Sequence, residues 1–204
     1  MTALLVPPPA SWRGVARLVR GLPARVLHGL RRRSAIAHLR ARGLPRSILI
    51  VCHGNICRSP YAAARLRQLL PARGAGGGKG DGIVVGSAGF IGARRPSPPE
   101  AVLVARAHGV DLSEHRSQLL GAQEVAAAEL ILVMEPAQQR AVCGNFGRSR
   151  GDVVVLGDLD PEPINGRAIR DPVEQPASVF EESYARIDRC LGTLVSVMSA
   201  GRSR

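Results

Sequence analysis

The chemistry this sequence offers is concentrated at Cys52 and Arg58, with Ser59 directly after the arginine. A cysteine can attack phosphorus as a thiolate, and an arginine presents a planar fork of N–H donors that matches two phosphate oxygens. Between them lie His53, Gly54, Asn55, Ile56 and Cys57. Glycine and asparagine most readily accept positive φ, so this stretch reads as a tight curl. A curl that turns its backbone N–H groups inward makes an anion cradle, and a helix N-terminus behind it adds its dipole. A cysteine at the floor of such a cradle is held as a thiolate, because everything around it favours negative charge. Ser59 is placed to donate a hydrogen bond to that sulfur, as nucleophile or as leaving group.

The flanking residues supply the frame such a loop needs. Ser47–Val51 is a short apolar, β-branched run suited to a buried strand. Pro60 falls where a first-turn helical proline belongs, and Tyr61–Leu70 is rich in Ala, Leu and Arg, good helix formers. The unit is therefore strand, loop, helix, with Cys52 at the strand's end.

The full string CHGNICRSP in this setting resembles the active-site loop of the low-molecular-weight protein-tyrosine phosphatases, whose pattern is C-x-G-N-x-C-R-S-P. The resemblance covers about residues 47–199. It implies hydrolysis of phosphotyrosine in proteins through a cysteinyl-phosphate intermediate. Cys52 is then the nucleophile, Arg58 binds phosphate, Asn55 holds the loop's shape and Ser59 assists the sulfur. His53, Gly54, Ile56 and Cys57 complete the phosphate loop. Ser-Ala-Gly at 87–89 matches a family segment whose serine supports the loop, which carries that role to Ser87. The family's general acid is an Asp-Pro late in the chain. Two such pairs exist, Asp160-Pro161 and Asp171-Pro172, and Asp171 lies just before the last helical segment, where the family's acid falls. Val173 follows where many members place ring-binding aromatics. By analogy the protein substrate is a bacterial tyrosine kinase of polysaccharide export.

Three other readings compete. Arsenate reductases use a similar loop but relay a disulfide through two nearby cysteines, whereas Cys143 and Cys190 are far apart. Protein-arginine phosphatases tend to carry Thr where Ile56 stands. A phosphate-binding module without turnover is disfavoured by the intact set of Cys52, Arg58 and Asp171. A curled loop could bring Cys57 within disulfide reach of Cys52, where it would capture an oxidised sulfur, the alternative being that Cys57 packs under the loop.

Further apolar runs at Ile83–Val85, Leu130–Met134 and Val153–Leu156 alternate with helical stretches. This predicts an α/β fold, a four-stranded parallel sheet with helices on both faces in three layers. The family implies strand order 2-1-3-4. Ligands bind beyond the strands' C-terminal ends, where Cys52 falls. Ser97-Pro98-Pro99-Glu100 reads as a capping box opening a helix that ends at Gly109, and Ser178 with Glu181 reads as a second. Glu124–Glu129 predicts a short helical turn, and Glu135-Pro136 a helix running to about Cys143. Phe180, Tyr184, Ile187, Leu191, Leu194 and Met198 mark the apolar face of a long terminal helix. His115 and Arg116 are assigned to packing or to the approach to the site. No further His or Cys sits at metal spacing, so neither a metal nor a cofactor is expected.

The chain of 204 residues is long enough for one proper core and has no apolar run of membrane-spanning length. Its four cysteines make no disulfide framework, and no signal peptide is evident, which fits a reducing, cytoplasmic location. The net charge is +12, but residues 1–46 carry ten Arg and no Asp or Glu, leaving +2 for the rest. The chain thus divides into a basic extension, 1–46, a phosphatase domain, 47–199, and a short tail, 200–204. After a proline-rich lead-in at Pro7–Pro9, residues 12–42 are amphipathic, with Trp12, Val15, Leu18, Val19 and Leu22 at helical spacing. Pro23 divides this stretch into two short predicted helices. It has the character of a segment for an anionic membrane surface, for a partner, for its own domain, or of a free tail. Nucleic acid is not expected, because only 3% of residues are aromatic and stacking platforms are lacking. A glycine-rich link spans Pro71–Gly82.

Overall fold

The computed structural model describes residues 10–70 and 82–200, with side chains from residue 24 onward. The proline-rich lead-in, all but the last residue of the glycine-rich link, and residues 201–204 lie outside the described residues. The elements in order are α1 (Ala10–Arg42), β1 (Ser47–Cys52), α2 (Arg58–Leu69), β2 (Val84–Gly89), α3 (Pro99–Ala107), α4 (Ala122–Ala127), β3 (Leu130–Val133), α5 (Pro136–Phe146), β4 (Val153–Val155) and α6 (Ala177–Ala200).

The four strands form one parallel sheet in the order β2-β1-β3-β4, as expected. Parallel strands need crossovers, and the helices supply them, covering both faces. Alternate side chains enter two separate cores. Ile48, Ile50, Leu130, Leu132 and Val154 pack with Tyr61 and Leu66 of α2, Val104 of α3, and Tyr184, Ile187 and Leu191 of α6. Leu49, Val51, Ile131, Val133, Val153 and Val155 pack with Val125 of α4 and Val142 of α5. Because both faces are buried, the strands read as unbroken apolar runs. The aromatics of α6 are core, as expected, with Tyr61 and Tyr184 stacked at 3.8 Å between ring centroids.

Several boundaries differ from the sequence reading. The second strand extends through Ser-Ala-Gly to Gly89, because Cys52 pairs with Gly89 in the register of β1 and β2. α5 continues to Phe146 before a left-handed Gly147 ends it. Neither capping box forms. α3 starts at Pro99, and Ser97 lies outside it with a buried hydroxyl that finds no partner among the described residues. α6 starts at Ala177, so Ser178 is inside the helix, and Glu181 instead bonds the His108 ring at 2.7 Å.

His108 also reaches Asp188 at 3.3 Å. Burial by itself would lower the ring's pKa, but the bonds to the two carboxylates outweigh it, and the net direction is upward. A raised folded-state pKa adds stability that is complete below about 6.5, where the unfolded ring titrates, and is lost as pH rises through the folded value. Unfolding midpoints should therefore fall over that interval in the native chain, and His108→Gln should flatten this part of the profile.

Residues 10–42 of the basic extension form one continuous helix through Pro23, not two. A proline removes one backbone hydrogen bond, and the turns on either side continue. Its C-terminal half is anchored. Leu39 is buried in the larger core, and His28 is buried with its ring Nε2 2.9 Å from the Asp160 carbonyl. The Arg42 guanidinium donates to the carbonyls of Glu129 and Gly151, and the His38 ring also meets Gly151. α1 thus packs on α6 and on the turn after β4, flanking the sheet's edge strand. Leu39→Ala should lower unfolding free energy by about 2–5 kcal/mol in a denaturant titration. Leu30→Ala, on the exposed side of the same helix, should stay within about 0.5 kcal/mol. Equal midpoints for the two would show that α1 does not share the core.

Candidate active site

β1 ends at Cys52 and α2 begins at Arg58, so five residues make the turn. No side chain caps the start of α2, which leaves its first N–H groups to face the loop. The Asn55 N–H donates to Cys52 Sγ at 3.2 Å, and Ser59 Oγ lies 3.0 Å from the same sulfur. Asn55 takes a positive φ of 51°, the left-handed geometry that the loop's composition foreshadows.

The Asn55 side chain, fully buried, fastens this arrangement. Its Nδ2 donates to Ser59 Oγ at 2.8 Å and to Ser87 Oγ at 2.9 Å. Since Asn55 donates into a Ser59 lone pair, the Ser59 proton is free for the cysteine sulfur at 3.0 Å or the Ala88 carbonyl at 3.5 Å. Asn55 Oδ1 accepts the Gln118 N–H at 2.8 Å, and the Asn55 carbonyl accepts His115 Nε2–H at 2.7 Å. Burial pushes the His115 pKa below its ordinary value, with the bond to Asn55 opposing, so the ring stays neutral at neutral pH. Gly89 lets the loop seat here: a Cβ on it would lie 2.7 Å from the Asn55 nitrogen. The carbonyls of His53 and Gly54 are also held, the first by the Phe90 N–H at 2.8 Å, the second by Arg95 at 3.1 Å.

Arg58 is the largest fully buried side chain among the described residues and has two carboxylates for company. Its Nη1 donates to Glu135 at 2.7 Å and to the Ile169 carbonyl at 3.0 Å, and its Nη2 donates to Asp171. Nε has no partner among the described residues. Of five N–H bonds, three are used, and the remaining pair suffices for a two-oxygen grip on a phosphate. Much of the fork that the sequence assigns to phosphate is therefore spent on Glu135, Ile169 and Asp171. A buried guanidinium needs such counter-charges.

The two Asp-Pro pairs have different surroundings. Asp160 is fully buried, bonded by Arg186 at 3.1 Å and Arg189 at 3.0 Å, far from a role in proton exchange with substrate. Asp171 is partly exposed and sits on Arg58. Its position is set by Ile169, whose N–H bonds the Met134 carbonyl at 2.9 Å, and by Ser183, which donates to the Arg170 carbonyl at 2.9 Å. The structure thus gathers Cys52, Asn55, Ser59 and Ser87 into one cluster and joins Asp171 to the loop through Arg58. His53 is exposed, Gly54 and Ile56 are half-buried and Cys57 is buried beneath the loop. Burial and the nearby Cys52 and Asp171 push the Cys57 thiol well up, so it stays protonated, and all four cysteines are free. Sequence reasoning assigned no role to Glu135, Gln118 or Arg95. Only Glu135 left a signal: it directly follows a strand, at the sheet edge that holds the site.

Residues 47–203 match the low molecular weight phosphotyrosine protein phosphatase family. A probable low molecular weight protein-tyrosine-phosphatase, EpsP, of Ralstonia solanacearum is 42% identical over 146 residues, 71% of this chain and 90% of its own. The crystal structure of the Erwinia amylovora tyrosine phosphatase AmsI superposes with a TM-score of 0.65 at 32% identity, over 76% of this chain and 95% of that one. An arginine phosphatase, YwlE, from Geobacillus stearothermophilus gives 0.66 at 25% identity, over 78% and 96%. The fold and loop define an α/β phosphatase of the cysteine-nucleophile type. The chain belongs to the low molecular weight phosphotyrosine protein phosphatase family.

Asn55→Ala would strip three side-chain bonds from a buried loop and leave a positive φ on a residue less suited to it. Unsatisfied buried donors cost about 1–3 kcal/mol each. Inorganic phosphate, measured as a competitive inhibitor, should bind roughly tenfold or more weakly to this variant. Unchanged inhibition would show that the loop keeps its shape without the carboxamide.

Proposed function

We propose that this chain hydrolyses phosphotyrosine in proteins, with Cys52 as nucleophile and Asp171 as proton donor. The Cys52 sulfur attacks phosphorus while Arg58 and the loop N–H groups hold the phosphoryl oxygens. The S–P bond forms, the P–O bond to the tyrosyl ring breaks, and Asp171 gives its proton to the departing oxygen. Water then attacks the phosphocysteine with Asp171 taking its proton, and the Ser59 hydroxyl donates to the sulfur as it leaves. Residues 47–199 carry this chemistry, with residues 1–46 appended. A thiol nucleophile works best in a reducing compartment, so we place the enzyme in the cytoplasm. The family resemblance makes a bacterial tyrosine kinase of polysaccharide export the candidate protein substrate. The observation that carries the assignment is Arg58, the one fully buried arginine among the described residues, which starts the helix behind the Cys52 loop and bonds Asp171.

The other readings find less support. Ile56 packs its apolar side chain against the core, which suits an aryl phosphate more than a phosphoguanidine. Cys143 and Cys190 lie on α5 and α6, and Cys190 is buried, so neither is disposed to relay a disulfide. Val173 also packs against the core and offers no aromatic wall for a ring.

Cys52→Ser should abolish turnover of p-nitrophenyl phosphate yet retain inorganic phosphate binding, since Arg58 and the loop remain. Substantial residual activity would remove Cys52 from its role, and faster turnover of phosphoarginine than of phosphotyrosine by the native chain would favour the arginine reading.

The two acids separate by leaving group. Asp171→Asn should slow phenyl phosphate hydrolysis by about 10²–10⁴ and affect p-nitrophenyl phosphate much less, because a good leaving group needs little protonation. Asp160→Asn should leave that dependence unchanged and lower stability by about 3–5 kcal/mol, since it leaves Arg186 and Arg189 without their buried partner. The reverse pattern would make Asp160 the acid.

A further inference from the structure

α1 has an inner and an outer side. His28, Ala35 and Leu39 face the domain, on one stripe of the helix. Opposite them Val26 and Leu30 are 63% and 59% exposed, with Leu27 beside them at 45%. They are among the most exposed large apolar side chains of the described residues. Arg33 and Arg40 lie exposed along the same outer side. In the sequence, apolar residues continue toward the N-terminus at positions 22, 19, 15 and 12, with the same three- and four-residue spacing, and the helix is unbroken from Ala10. From residue 24 to 42 the domain therefore holds α1 from the side opposite an apolar stripe flanked by arginine, and the sequence continues that apolar spacing toward the N-terminus.

Charge decides what covers the stripe. Residues 1–46 hold ten Arg and no Asp or Glu. Two copies of α1 placed face to face would bring arginines together without one carboxylate of the segment to pair them. A lipid surface carrying negative headgroups answers both features at once: it takes up the apolar side chains and neutralises the guanidinium groups around them. Arginine suits this edge, because its stem lies along apolar surface while its head stays with the phosphates. No helix among the described residues is long and apolar enough to cross a membrane. We propose that the outer side of α1, centred on Val26, Leu27 and Leu30 and flanked by Arg33 and Arg40, adsorbs flat on an anionic lipid bilayer.

The attachment of α1 fixes how the enzyme would sit. Its His28 end meets Asp160, beyond the C-terminal end of β4, and its Arg42 end meets Glu129 and leads into the start of β1. α1 therefore runs opposite to the strands. With α1 flat on the bilayer, the sheet edge that carries Cys52 opens along the surface, not into it. Adsorption leaves the loop open to phosphotyrosine on neighbouring membrane-bound proteins and leaves the chemistry itself unaltered.

The test is co-sedimentation of the full chain with vesicles of phosphatidylglycerol and phosphatidylcholine, against vesicles of phosphatidylcholine alone. The native chain should pellet with the anionic vesicles and return to the supernatant at high salt. Val26→Glu, Leu27→Glu and Leu30→Glu together should weaken binding at least tenfold. Arg33→Gln with Arg40→Gln should do so through charge alone, at about fivefold for each arginine. All variants should hydrolyse p-nitrophenyl phosphate as the native chain does, which reports an intact fold and an independent active site. A native chain that stays in the supernatant with anionic vesicles, or a triple variant that pellets as well as the native chain, overturns the proposal. A dimer that the triple variant loses, without vesicle binding by either, assigns the stripe to a second copy instead.

Discussion

The carboxamide of Asn55 is the contact on which the catalytic loop depends. It is a planar group with two donors and an acceptor, buried where no water can substitute. Each is used: the donors hold Ser59 and Ser87, and the acceptor holds the Gln118 N–H. Those partners come from α2, β2 and the segment before α4, so one side chain ties three parts of the chain to the turn. Leaving any of these groups unpaired would cost about 1–3 kcal/mol. The same bond to Ser59 holds its oxygen beside the cysteine sulfur. Loop shape and sulfur chemistry thus rest on one residue.

Arg58 plays the corresponding part for charge. A guanidinium this deeply buried is tolerated because Glu135 and Asp171 stand beside it and a carbonyl takes a third bond. The pair of carboxylates comes from the end of β3 and from the long stretch after β4. In the proposed reaction a phosphoryl group entering the loop would meet an arginine already oriented by its neighbours, so little rearrangement would be needed to bind it. The arrangement also explains why two Asp-Pro pairs in one chain have separate fates. Asp160 is enclosed by Arg186 and Arg189 of α6 and by His28 beneath its carbonyl, and it serves the attachment of α1. Asp171 keeps an open side toward solvent.

The first 46 residues extend this logic outside the family's usual span. Only one stripe of α1 is needed to cover the edge of the sheet, and Leu39 with His28 supply it. Arg42 helps hold the helix, but Arg33, Arg40 and the outward Val26 and Leu30 lie exposed, which is the physical ground for looking beyond the domain for their use.

Local pattern determined much of this protein without help from the fold. The strand at 47–52, the glycine and asparagine of the turn, and the helix-forming run after Pro60 are each set by residues adjacent in sequence, so Cys52, Arg58 and Ser59 were legible directly. The apolar runs and their crossovers likewise fix a parallel sheet, because buried strands leave no polar alternation to confuse the reading. What the chain order could not carry were contacts between distant segments. Glu135 resembles any helix-opening residue until β3 places it against Arg58. His115 and Gln118 acquire their roles only when the loop before α4 folds over Asn55. Ser97 and Glu181 fit a local capping rule, yet Ser97 falls outside its helix, and Glu181 bonds His108, 73 residues away, in place of its own helix end. Pro23 stands inside α1, although an interior proline loses a hydrogen bond and crowds the preceding turn, and the part of the helix after it is held by Leu39 in the core and by His28 on Asp160.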